Sequence, residues 1–256
     1  MVRLSCDLVV NQLQWIAEPG TAPLRDLWAG RLHLMQSWQS VPHAGAETAL
    51  LFMAGAAHVT VKSPDSVSRW YNYDAGVTER TIYDWPRGDL IIVPPAWGIH
   101  VIPLVDAVEM LVFQSWLAED KRDGLPQFIR GQEAEIQRHS STCLSRIYQA
   151  GRRLHVGTTE HADGYGSFPF HSDGWRGEEI RHYLVEPKGG EAVQRLHGQY
   201  VTGTQIDAAV VVRPGDACVL PYGDTQPLLR GPNSAVWYAW AWIETEQESI
   251  AKSEEV

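Results

Sequence analysis

The sequence predicts an all-β protein that is built from two small barrels. Short runs rich in β-branched and aromatic residues recur along the 256-residue chain, separated by Gly, Pro, Asp and Asn, and helical patterns are scarce. Many short strands at such spacing favour a barrel or a sandwich. The chain also repeats itself after roughly 130 residues, a period that suits a duplicated barrel better than a solenoid.

Seven runs are predicted as strands, at residues 48–53, 58–62, 90–93, 110–114, 209–212, 217–220 and 235–242. Residues 133–137 fit a short turn at most. A charged and polar stretch separates the two halves. We therefore predict a first barrel at residues 1–116, a linker or crossover at 117–141, a second barrel at 142–245 and a flexible acidic tail at 246–256.

Composition excludes several functional classes. The formal charge of −10 disfavours nonspecific binding to nucleic acid or to an anionic membrane, both of which require a basic surface. The chain has neither a signal-peptide core nor an apolar run of about 20 residues, so a cytoplasmic protein is predicted. Its three cysteines show no CxxC spacing, which disfavours a disulfide framework and a structural zinc site.

Two sets of polar and turn residues occur in the same order in the two halves. The first half reads His43-x3-Glu47-x7-Gly55, then Gly88-x5-Pro94 and His100. The second half reads His171-x-Asp173-x5-Glu179-x9-Gly189, then Gly215-x5-Pro221-x-Gly223-x2-Gln226. This overlay predicts that Glu47 and Glu179 lie at equivalent points of the two barrels.

These patterns resemble the two conserved motifs of cupins. The stretches AEIQRHSSTCLSR, GYGSFPFHSDG and EEIRHYLVEP, between residues 134 and 187, are similar in order to the 5-deoxy-glucuronate isomerases of inositol catabolism and the deoxy-uronate ketol-isomerases of pectin catabolism. The resemblance implies a bicupin, with two double-stranded β-helix barrels of the jelly-roll type. It also implies an aldose–ketose isomerase that acts on a sugar acid.

The resemblance further implies a divalent metal ion (Zn, Mn or Fe) in the second barrel. The family's metal ligands correspond to His171, Asp173, Glu179 and Gln226, with Gln226 in place of the last histidine. The first barrel offers a second candidate site at His43, Glu47 and His100, because two imidazoles and one carboxylate suffice for an open metal site. His33 either adds a ligand there or faces solvent.

In such an isomerase the metal ion polarises the carbonyl and hydroxyl oxygens while a proton moves between C1 and C2. The candidates for proton transfer are Glu179, Glu178, Tyr183 and Asp173. The substrate carboxylate requires a cation, for which the candidates are Arg181, Arg195, Lys188 and Arg213.

Two other functions stay open at this point. One is a different metal-dependent cupin enzyme, an oxygenase or a lyase, that uses the first-barrel residues. The other is a non-catalytic sugar-binding bicupin whose tryptophan-lined walls hold the ligand. The expected partner is a small sugar acid rather than nucleic acid or membrane, and the sequence leaves open whether the chain forms a homo-oligomer.

Overall fold

The computed structural model describes residues 3–4, 9–41, 43–65, 69–78, 87–117, 124–139, 143–148, 153–161, 177–187, 189–222, 228–231 and 234–244. In these ranges the chain forms strands and no helix, so no helix there could span a membrane. The strands are β1 (Arg3–Leu4), β2 (Leu13–Ala17), β3 (Leu27–Leu34), β4 (Trp38–Gln39), β5 (Ala46–Ala54), β6 (Ala56–Lys62), β7 (Trp70–Thr78), β8 (Arg87–Gly88), β9 (Leu90–Val93), β10 (Gly98–Pro103), β11 (Val108–Trp116), β12 (Gln127–Ile129), β13 (Glu135–Arg138), β14 (Cys143–Tyr148), β15 (Leu154–His161), β16 (Gly177–Glu186), β17 (Ala192–Gln199), β18 (Gln205–Val212), β19 (Ala217–Leu220), β20 (Leu228–Arg230) and β21 (Ala235–Glu244).

The predicted all-β class is confirmed, and all seven predicted runs lie within strands: β5, β6, β9, β11, β18, β19 and β21. Of residues 133–137, predicted as a short turn at most, residue 133 lies in a turn and residues 135–137 belong to β13. Within 117–141, β12 adds to β9 of the first half, whereas β13 pairs with β14 of the second half. The predicted acidic tail lies outside the described residues.

Each half folds into two facing antiparallel sheets. The first barrel combines the sheet β12-β9-β5-β11-β3-β2 with the sheet β4-β10-β6-β7-β8. The second combines β1-β19-β16-β21-β15-β14-β13 with β18-β17-β20. Strand β1 therefore comes from the start of the chain but extends the large sheet of the second barrel through its pairing with β19.

Side chains alternate across each large sheet, and this alternation separates three apolar cores. Inward residues such as Leu50 and Val59 fill the first barrel. Tyr183 and Leu196 lie in the core of the second. A third core lies between the barrels, where outward residues of both large sheets pack together, among them Ala49, Leu51, Phe113, Ile180, Ala239 and Ala241. The two large sheets thus pack back to back.

The strand registers align the two halves residue by residue. In the first barrel Val93, just before Pro94, lies opposite Thr48; in the second, Leu220, just before Pro221, lies opposite Glu179. Thr48 is therefore the equivalent of Glu179. The predicted equivalence of Glu47 with Glu179 is wrong by one residue, and a shift of one residue moves a side chain to the other face of the sheet.

The true equivalent of Glu47 is Glu178, and the two carboxylates join the barrels in the same way. Glu178 Oε2 accepts hydrogen bonds from the backbone N–H groups of residues 25–27, at 3.0 Å each. Glu47 Oε1 accepts them from residues 153–154, at 3.0 and 2.7 Å. Glu178 of the second barrel thus holds the start of β3 in the first barrel, and Glu47 of the first barrel holds the start of β15 in the second. We call these two contacts the glutamate clasps.

Candidate active site

The interior of the second barrel holds buried polar side chains where the first barrel is mostly apolar. Glu179, Arg181 and Tyr183 alternate along β16, so all three point inward, and Gln194 on β17 and Tyr238 on β21 face them. In the first barrel the equivalents of the four residues on β16 and β21 are Thr48, Leu50, Phe52 and Met110, on β5 and β11. Because burying polar groups is unfavourable unless they are paired, this set marks the second barrel as the candidate active site.

Arg181 is the centre of this polar set. Its Nε donates to Glu179 Oε1 at 2.6 Å, and its Nη1 donates to Gln194 Oε1 at 3.4 Å. The guanidinium lies 4.9 Å from the centre of the Tyr238 ring. Burial by itself would lower the pKa of Arg181, but Glu179 and the two tyrosines more than offset that effect, so the net pKa lies above its ordinary value. Arg181 is therefore a permanent buried cation.

Two tyrosines present neutral hydroxyl groups to the same space. Tyr183 Oη donates to Gln194 Oε1 at 2.9 Å, and burial raises the pKa of Tyr183 well above its ordinary value. Tyr238 Oη is buried and has no hydrogen-bond partner within the described ranges. Burial raises the pKa of Tyr238 to about 12, although Arg181 acts in the opposite direction. Both groups can therefore donate hydrogen bonds at neutral pH.

Further polar groups line the interior behind this set. The His161 ring stacks on Tyr238 with 5.8 Å between ring centres, and burial, followed by the charge of Arg181, lowers the pKa of His161 to about 4. Thr159 Oγ1 accepts from Trp240 Nε1 at 3.1 Å and lies 2.8 Å from Ser145 Oγ. Sequence reasoning missed these residues, as well as Gln194 and Tyr238. In the sequence, each of them could be recognised only as a polar residue at an inward position of an otherwise apolar strand.

We define the end of each barrel at Pro94 or Pro221 as its mouth. At the mouth of the second barrel His155 stacks on Trp242 with ring centres 3.9 Å apart and planes 9° apart. Trp242 lies opposite Glu179 in the strand register. The carboxylate of Glu179 is thus near the mouth, and Arg181 is one inward position deeper.

Several predicted site residues lie elsewhere. Glu178 was predicted as a proton carrier, but its carboxylate is engaged in a glutamate clasp on the outer face of the sheet. Arg195 was predicted to bind substrate, but it forms a surface ion pair with Asp207, and Arg213 pairs with Glu191 on the surface. The remaining candidates, His171, Asp173, Lys188 and Gln226, lie outside the described residues.

The described residues by themselves do not fit a metal ion in the second barrel. Of the four predicted ligands they include only Glu179, and its Oε1 already accepts from the cationic Arg181. Within the described part of the chain there is no group of three or more His, Cys, Asp or Glu side chains that could hold a metal ion. The predicted site thus depends on His171, Asp173 and Gln226.

The second candidate metal site, in the first barrel, does not converge in the described structure. His43 lines a cavity at the mouth, whereas Glu47 turns outward to its clasp. His100 lies on the outward face of β10, because its neighbours Ile99 and Val101 point into the core. His33 faces Glu109 on the outside, at 3.2 Å. Strand alternation therefore sends these side chains to different faces.

Comparison with known structures assigns the architecture. An IolB-like protein from Salmonella typhimurium LT2 matches with a TM-score of 0.75 at 16% identity, over 97% of this chain and 94% of that one. The oxalate decarboxylase of Lactobacillus farciminis matches with a TM-score of 0.64 at 13% identity, over 95% and 86%. The chain has a bicupin fold.

A third bicupin, the Bacillus subtilis oxalate decarboxylase with Mn(II) centres, matches with a TM-score of 0.58 at 13% identity, over 86% of this chain and 70% of that one. No protein-family model matches the chain, and no curated protein matches it in sequence. At these identities the likeness concerns the fold. The activity has to be argued from the side chains inside the barrels.

Proposed function

We propose that the chain is an aldose–ketose isomerase that acts on a deoxy-uronate-like sugar acid in its second barrel. The observation that carries the proposal is the buried set of Glu179, Arg181 and Tyr238 inside that barrel. A buried guanidinium suits a substrate that carries a carboxylate, since arginine binds carboxylates with charge-assisted hydrogen bonds. The bicupin fold shared with an IolB-like protein supports the same substrate class.

Each residue of the set has a role in this reaction. Glu179 would accept the proton from C2 of the open-chain aldose and return it to C1, while the C2 hydroxyl proton moves to the C1 oxygen. The enediolate between these two steps carries negative charge on oxygen, which Arg181 stabilises at short range in a dry interior. Two of the five N–H donors of Arg181 are used by Glu179 and Gln194, so others can reach a substrate oxygen. Tyr238 Oη can donate to one of the reacting oxygens.

The direct test is exchange of the migrating proton with solvent. The purified chain is incubated with 5-deoxy-glucuronate or a pectin-derived deoxy-uronate in D2O, and NMR follows ketose formation and deuterium uptake at C1. We expect turnover with deuterium uptake. Glu179→Gln should lower kcat by at least about a hundredfold, the usual contribution of a positioned acid or base.

Two further variants locate the reaction. Arg181→Lys keeps a positive charge but loses the planar donor geometry, so KM should rise and kcat should fall. Arg195→Ala is the matched control, because that arginine lies on the surface. An unchanged rate in Glu179→Gln, or a lost rate in Arg195→Ala, would contradict the assignment. Absence of turnover on every deoxy-uronate would favour a non-catalytic bicupin.

The divalent metal ion is tested in the same samples. We expect metal analysis to find Zn, Mn or Fe, held by Glu179 together with His171, Asp173 and Gln226. Treatment with a chelator followed by metal addition should then remove and restore turnover. Full activity in metal-free protein would contradict the metal prediction and leave Arg181 as the cation of the site.

A further inference from the structure

The first barrel contains a cavity of about 360 Å³ at its mouth. This volume lies within the range of roughly 300–1,000 Å³ that small-molecule sites occupy. The side walls include three indole rings, those of Trp15, Trp38 and Trp97. Thr48 and Gln114 line the inner part, since they occupy inward positions on the adjacent strands β5 and β11. The cavity thus occupies the position in this barrel that the Glu179 end occupies in the other.

The inner part of the cavity holds a polar pair with unused hydrogen-bonding capacity. Gln114 Nε2 donates to Thr48 Oγ1 at 2.9 Å. Among the described residues no group donates to the Gln114 carbonyl oxygen, and none accepts the hydrogen of the Thr48 hydroxyl. A ligand with hydroxyl groups would complete both, whereas a purely apolar ligand would leave them unsatisfied at a cost of about 1–3 kcal/mol each.

The lining carries no charge that would hold an ionic ligand. Among the described lining residues there is no Asp, Glu, Lys or Arg, and His43 at the rim is the single titratable group. Its Nδ1 accepts the Gly45 N–H at 3.4 Å, which leaves its Nε2 as a further polar atom. A carboxylate entering this cavity would lose its hydration without gaining a counterion. The second barrel differs because Arg181 supplies one.

We propose that the first barrel is a binding site for a neutral polyhydroxylated ring, of the pyranose or cyclitol class. The C–H face of such a ring packs on an indole, and its hydroxyl groups reach the pair formed by Thr48 and Gln114. This assignment uses none of the residues placed in the isomerase site. An experiment can therefore contradict this proposal without contradicting the proposed isomerase, and the reverse is also true.

The test is calorimetric titration of the full chain with four probes. Myo-inositol and D-glucose represent the proposed class, D-glucuronate adds a carboxylate, and cyclohexanol keeps a ring with a single hydroxyl. We expect saturable binding of at least one neutral polyol and weaker binding of cyclohexanol. Glucuronate is expected to bind in the second barrel, at Arg181, so its binding should be the same in the wild type and in Gln114→Leu. Gln114→Leu should weaken the polyol by at least tenfold, which corresponds to about 1.4 kcal/mol.

Thr60→Val is the matched control, since Thr60 lies on the outside of the same barrel, where it bonds to Asn72. It should leave polyol binding unchanged. If Gln114→Leu does not fold, Thr48→Val removes the same polar pair with a smaller change in shape. The proposal is overturned if neither polyol binds at concentrations up to about 10 mM, if cyclohexanol binds more tightly than both polyols, or if the polar-pair variant binds the polyol as the wild type does.

Discussion

His182 allows a quantitative test of the contact between the barrels. It occupies the inter-barrel face of β16, where the equivalent residue on β5 is Leu51. Both of its ring nitrogens are buried without a hydrogen-bond partner in the described residues. Burial, with a smaller effect from the charge of Arg31, lowers the pKa of His182 to about 3. The side chain is therefore neutral and unsatisfied, and His182→Leu should raise the free energy of unfolding at neutral pH by about 1–3 kcal/mol.

The same substitution should also change the pH dependence of stability. Below the ordinary histidine pKa of 6.5 the unfolded chain binds a proton that the buried His182 does not bind, so the wild type loses stability as the pH falls from about 6.5 toward 3. The loss is about 1.4 kcal/mol for each pH unit in that window. The advantage of His182→Leu over the wild type should therefore grow by that slope on acidification.

Urea unfolding, followed by tryptophan fluorescence at several pH values between about 7 and 4, measures both effects. His161, with its own lowered pKa, keeps its contribution in both proteins, so the difference between them isolates His182. The exposed His197 on β17 supplies the control His197→Leu, which should shift the free energy of unfolding by less than about 0.5 kcal/mol. A variant that is less stable than wild type at neutral pH, or a difference that does not change with pH, would refute the argument.

Three other substitutions test the packing by the same measurement. Glu178→Ala should lower the free energy of unfolding by about 1–3 kcal/mol, because it removes the acceptor of the buried Leu27 N–H and of the partly buried N–H groups of residues 25 and 26. Glu47→Ala should act in the same direction through its own clasp, and a loss below about 1 kcal/mol in both would contradict the clasp assignment. Gly157→Ala should cost about 1–3 kcal/mol, since its new Cβ would lie 2.0 Å from the Trp240 ring; wild-type stability would show that the ring moves freely.

Much of the fold could be predicted because the strands are locally encoded. Runs such as 90–93 and 217–220 consist of apolar residues that fit a sheet buried on both faces, and these two were predicted to the residue. The duplication into two barrels could also be predicted, because the same turn residues occur in the same order in both halves. The residue-level alignment could not be predicted in the same way. Glu178 and Glu179 are adjacent in sequence, and only strand register shows that the first belongs with Glu47.

The candidate site could be predicted only in part. Glu179 was found through its match to the glutamate of the resembled family, and Arg181 and Tyr183 were named among several candidates near it. Gln194 and Tyr238 were missed because each is an isolated polar residue, on β17 and β21, which meets the others only through long-range strand pairing. Pattern matching also assigned both His100 and Glu47 to the inside of the first barrel, although strand alternation turns them outward.

The equivalence of the barrels also explains how one backbone can serve the two ligands proposed above. The position one residue after each clasp glutamate faces the mouth, as Thr48 in one barrel and as Glu179 in the other. The next inward position is Leu50 in the first barrel and Arg181 in the second. Because a buried arginine requires a charged partner, the change from leucine to arginine is accompanied by the change from threonine to glutamate. The clasps can stay the same in both halves, since they lie on the opposite face of the same strands. Chemistry inside each barrel can thus differ without changing the contact that joins the two.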